Sequence, residues 1–184
     1  MPEPIRGVHH ITAIASNPQR NLDFYTQALG LRLVKLTVNF DDPGTYHFYF
    51  GDAAGHPGTI LTFFPWENIR PGRRGVGQVG TVAFEIPQAS LGYWVERLRR
   101  LNLTSGRPFE RFGEQALALQ DPDGLHIELI AAAADSAPAP AWRGSPTPPE
   151  HAIRGFRSPA LLVKDIEPTA DLLVNTFGLA AVQQ

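Results

Sequence analysis

The sequence predicts an α+β fold of paired βαβββ modules, with a third module begun after two complete ones. Three observations carry this. A strand-helix-strand-strand-strand order occurs twice along the chain. Within it, apolar residues alternate with period two in the strands and recur at helical spacing in the segment after each opening strand. Finally, the stretch 153–179, "IRGFRSPALLVKDIEPTADLLVNTFGL", lies without a gap on 5–31, "IRGVHHITAIASNPQRNLDFYTQALGL", at a constant offset of 148 residues. That is an internal repeat.

The first module is expected over 1–66. Strand 7–15, "GVHHITAIA", leads into a helix over 16–31, with Ser16 or Asn17 as its cap, Pro18 in its first turn and Gly30 as its stop. Strands 32–40, 46–52 and 58–66 follow, with turns at "DDPG" and "AAGHPG". The second module, 78–133, repeats the order. It has a strand at 80–87, an amphipathic helix at 89–103 and strands around the turn "QDPDG", with Arg97, Arg99 and Arg100 read as a solvated helix face. Residues 134–152 form an Ala/Pro-rich linker. Its large apolar residue, Trp142, is expected to dock on a neighbouring surface. Residues 153–184 supply the strand and helix of a third module.

Composition narrows the function. A net charge of −2 gives no reason to expect nucleic acid or an anionic membrane as partner. The absence of cysteine excludes disulfides, thiolate metal sites and a cysteine nucleophile. No apolar run approaches the ~18 residues of a membrane span, and the start has no signal-like apolar segment, so the expectation is a cytoplasmic protein. The glycines of "GVGQVG" (75–80) match dinucleotide-site spacing, yet they lead into a strand rather than a helix N-terminus. They are read as a connection between modules.

The adjacent histidines of "VHHIT" (8–12) raise the question of a metal site. Strand neighbours point to opposite faces, so one ring is expected to look into a site and the other away. In series, "HHITAI", "NLDFYTQALGLRLVKLTVNFDDP", "YHFYFGD" and "PGTILTFFPW" resemble the first module of the vicinal-oxygen-chelate superfamily: glyoxalases, fosfomycin-resistance proteins and extradiol ring-cleaving dioxygenases. The strongest likeness is to two-domain, four-module dioxygenases of the hydroquinone type. The resemblance covers both modules and the partial third.

That resemblance implies a two-histidine, one-carboxylate site suited to non-haem Fe(II), with Mn(II) or Zn(II) as alternatives. It places the first ligand at His10, with Thr12 on the same face as a residue that orients bound substrate, and leaves His9 a structural role. The second module departs from the pattern, with Thr81 at its histidine position, though "DPDGLHIE" puts Glu128 at the position of the ligand glutamate. Glu128 is then either a remnant or a ligand if modules one and two pair, and Thr81 argues for the remnant. His126 shares its strand face and is expected to be exposed. The third module has Ser158 at the ligand position.

In four-module relatives, module four pairs with module one and brings the other histidine and glutamate, so by resemblance the chain is C-terminally incomplete. The implied function is an Fe(II)-dependent ring-cleaving dioxygenase taking a small hydroquinone- or catechol-like aromatic and dioxygen. Phe48, Phe50 or Phe63 would wall its pocket, and a homodimer would cover the partial module. The alternatives are a non-catalytic binding module of the same fold, a glyoxalase-type lyase and a resistance-type transferase.

Overall fold

The computed structural model describes residues 5–68, 70, 72–133 and 142–182. The first part of the expected linker, 134–141, lies outside them. The first module comprises β1 (His10–Ala15), α1 (Pro18–Asp23) continued by a π-helical turn (Phe24–Ala28), β2 (Arg32–Val38), β3 (Tyr46–Gly51) and β4 (Ile60–Pro65). The second comprises β5 (Gln78–Pro87), α2 (Leu91–Arg100), β6 (Phe109–Arg111), β7 (Glu114–Gln120) and β8 (His126–Ala132). The repeat supplies β9 (Gly155–Leu162) and α3 (Ile166–Asp171), continued by a second π turn (Leu172–Thr176). No helix among the described residues is long and apolar enough to cross a membrane.

Asn17 caps α1, its side chain accepting from the Arg20 amide at 2.9 Å, and Pro18 occupies the first turn, where its missing N–H costs nothing. The helix ends at Gly30, whose φ of +74° lies in the left-handed region. Asp165 caps α3 in the same way, and Gly178 stops it at φ +71°. The offset that aligns the two sequences therefore also aligns their caps, π turns and stopping glycines.

Two sheets result. The first runs β1-β4-β3-β2, with β1 at its edge and parallel to β4. The second runs β6-β7-β8-β5-β9, with the repeat's strand β9 antiparallel to β5. Alternation buries Ile11, Phe48, Phe50, Leu61 and Phe63 on one face of the first sheet, against Phe24, Tyr25 and Leu29. It buries Val82, Phe84, Ile86, Ile127 and Leu129 on one face of the second, with Trp94 and Leu98 of α2, and both sets belong to one core. Each large side chain fully removed from water here contributes about 1.5–3 kcal/mol.

Polar bonds fix how the modules meet. The Tyr25 hydroxyl donates to Asp121 Oδ2 at 3.0 Å, and Arg20 pairs with Asp123 at 2.8 Å, so the helix of the first module holds the D-P-D-G turn of the second. Arg97 is not part of a solvated face. Its Nε donates to the Ala28 carbonyl at 2.9 Å and its Nη2 to that of Gln27 at 2.6 Å. These are carbonyls at the end of the first module's helix, which attract a cation. Arg99 and Arg100 do face solvent, paired with Glu96. Trp142 docks as expected, its Nε1 donating to the Gly30 carbonyl at 3.1 Å. On the repeat, Ile166, Leu172 and Phe177 stay exposed.

Candidate functional site

The face of the first sheet that turns away from the core is where the histidine question is decided. Register sets its rows. His10 stands beside Ile60. The next row is Thr12, Thr62, Tyr49 and Lys35, and the one after it Ile14, Phe64, His47 and Thr37. His10, Thr12 and Ile14 are exposed because, among the described residues, β1 has no partner strand beyond it and no helix covers this side.

His9 does not turn away from His10. It precedes the first residue of β1, so strand alternation does not govern it, and its Nδ1 lies 3.1 Å from His10 Nδ1 with the rings edge to face. It also lines a cavity of about 550 Å³ with Arg6, Pro57 and Phe156. The contact between the two Nδ1 atoms leaves His10 Nε2 for another partner. That is how a metal-binding imidazole is commonly oriented by a neighbour. Thr12 accepts from the Thr62 hydroxyl at 2.9 Å, which leaves its own proton available on the His10 face.

The expected pocket walls are a correction. Phe48, Phe50 and Phe63 are 4%, 0% and 0% exposed and pack against the helix, not the open face. The strand "YHFYF" carries rings on both parities, and α1 covers the parity of Phe48 and Phe50. The open face instead receives His47 and Tyr49. The Tyr49 hydroxyl lies 3.1 Å from His47 Nδ1, and the His47 ring sits 4.2 Å from that of Tyr49 and 4.0 Å from that of Phe64. Burial pushes the His47 imidazole below its ordinary pKa, and the nearby Lys35 ammonium pushes it the same way. Sequence reasoning missed this pair. The signal was the polar residue at every second position of "HFY".

Glu128 stands on the second sheet, on the face opposite Ile127 and Leu129, in a row with Ala118, Ala83 and Ser158. Arg111 on β6 donates to its Oε2, so the carboxylate already has a cationic partner. Thr81 lies one row away, paired with His126 and Ala160. His126 is half-buried rather than exposed. Arg74 lies 3.1 Å from its Nδ1 and Gln120 contacts its Nε2, and burial with the Arg74 charge lowers its pKa. Because both sheets turn their apolar faces to the shared core, the structure does not bring Glu128 to His10. Among the described residues no three His, Cys, Asp or Glu side chains form a metal-binding group. They fit one corner of a metal site, at His10, and not a whole one.

Residues 7–129 match the Glyoxalase/Bleomycin resistance protein/Dioxygenase superfamily. The chain belongs to that superfamily. MhqO of Bacillus subtilis, provisionally named a ring-cleaving dioxygenase, is 48% identical over 182 residues, covering 99% of this chain and 57% of that protein. The chlorohydroquinone/hydroquinone 1,2-dioxygenase of Sphingobium indicum is 35% identical, covering 97% of this chain and 56% of that enzyme. A crystal structure of a provisionally named dioxygenase from Bacillus subtilis superposes with a TM-score of 0.93 at 47% identity, covering 100% of this chain and 58% of that one. The chain thus spans a little over half the length of these relatives.

Proposed function

We propose that this chain carries the His10 side of a metal-centred site in a ring-cleaving dioxygenase whose substrate is a hydroquinone-type aromatic diol. The observation that carries the reading is His10 itself, exposed on an open sheet face, with its Nδ1 against His9 and Thr12 beside it. The names of the relatives supply the reaction class. Fe(II) is the metal of the reading. When bound, it would bring a ring hydroxyl and dioxygen together and polarise both. His10 would ligate it, His9 would orient that imidazole, and Thr12 would hold the substrate oxygen through the proton it does not share with Thr62. Glu128 is assigned to its ion pair with Arg111 rather than to the metal.

The test is oxygen uptake. The protein carrying this chain, loaded anaerobically with Fe(II) and given hydroquinone, is expected to consume dioxygen. His10→Ala is expected to lose more rate than the ~10–100-fold that removing a supporting partner costs. No uptake, beside an active hydroquinone dioxygenase assayed in parallel, would refute the reading. The engagement of Glu128 by Arg111 favours a second reading, a binding module without turnover. Tight binding of one Fe(II) per chain would count against it.

A further inference from the structure

The first sheet's open face holds a second polar group that the reading above leaves unused, the His47–Tyr49 pair. His47 is held between the rings of Tyr49 and Phe64, and its Nε2 is buried with no hydrogen-bond partner among the described residues. A buried N–H without an acceptor carries the full cost of its lost hydration, whereas an unpaired acceptor lone pair is the more tolerated defect. The proton of the neutral imidazole therefore belongs on Nδ1, which donates to the Tyr49 hydroxyl oxygen 3.1 Å away. The tyrosine's own proton is then left for another acceptor. Lys35, its ammonium 5.1 Å from the centre of the Tyr49 ring, braces that ring from the neighbouring strand.

Position gives this hydroxyl its use. Tyr49 shares a row with Thr62 and Thr12, and His10 stands one row along on the same face. Strands are ~4.8 Å apart and same-face residues on a strand ~7 Å, so a single planar ring laid over the two threonines lies between the His10 and Tyr49 side chains. Ile60 lies on one side of that row, and Ile14 and Phe64 on the other. The floor is apolar at its flanks and polar at its two ends.

We propose that Tyr49 is the residue that binds the second hydroxyl of the aromatic diol, the one remote from His10, and that His47 is the positioning residue that aims it. This rests on the reading of His10 given above and names how its site would select a diol over a simple phenol.

The test compares hydroquinone with phenol, each titrated into the protein and followed by NMR. Wild type is expected to bind hydroquinone about tenfold more tightly, the worth of one added hydrogen bond of ~1.4 kcal/mol. Tyr49→Phe is expected to bring the two rings to equal affinity while leaving phenol binding unchanged. His47→Phe, which keeps a ring in the stack, should narrow the preference without abolishing it. Side-chain nitrogen shifts of His47 should report the proton on Nδ1. A preference unchanged in Tyr49→Phe, a proton on Nε2, or no binding of either ring would overturn the proposal. His10→Ala separates the two readings. Loss of metal binding there with the diol preference intact supports both, and an unaltered metal response sinks the metal reading while leaving the Tyr49 result to stand or fall separately.

Discussion

Replacing Tyr25 by phenylalanine removes one hydroxyl from the junction between the two modules. The ring is fully buried against Phe50 and Phe63, and phenylalanine preserves that packing. What is lost is the 3.0 Å bond to Asp121, whose carboxylate otherwise accepts from the Asp123 and Leu125 amides. A hydrogen bond to an ionised group contributes about 1.5–3 kcal/mol, and one to a neutral group about 0.5–1.5. For a protein of this length about 2 kcal/mol lowers Tm by ~4–8 °C.

Burial pushes the Asp121 carboxyl above its ordinary pKa, against the hydrogen bonds from Leu125, Tyr25 and Asp123 that pull it down. Its protonated form is favoured in the fold. Its contribution is thus fully present below the unfolded-state pKa and is lost as pH rises through the raised folded value. Tyr25 limits that rise, so the substitution widens the gap and its cost grows with pH. Thermal unfolding by circular dichroism near neutral pH and near pH ~4 should show the larger Tm loss at neutral pH. Equal losses at both, or a loss under about 1 °C at either, would refute the reasoning.

Three further outcomes follow from the same contacts. Gly30→Ala places a methyl group against the Thr147 and Ser145 side chains at a left-handed position, and should cost about 1–3 kcal/mol in chemical denaturation. Glu128→Ala leaves Arg111 without its carboxylate but should not alter metal binding at His10, as read by isothermal titration. His9→Ala should weaken that binding by about tenfold, because His10 loses the neighbour that orients it.

The repeat was legible because caps, stops and apolar spacing recur at one offset; the structure adds that each copy takes a π turn and that β9 pairs antiparallel with β5. Which parity of "YHFYF" faces the helix was not legible, since aromatic residues occupy both. Packing of Tyr25 onto Phe50 and Phe63 decides it, and so turns His47 and Tyr49 outward. The position of Glu128 followed from the D-P-D-G turn. Its ion pair did not, because Arg111 reaches it only through the register of β6 and β7 against β8. Alternation misled at His9, which lies outside the strand whose rule was applied to it.

Paramagnetic relaxation tests the central claim most directly. Mn(II) titrated into the protein should broaden the amide signals of Ile11, Thr12 and Thr62 first, and His10→Ala should abolish that pattern. Broadening centred instead on the Asp52–His56 pair or on Glu128, and unchanged in His10→Ala, would contradict it.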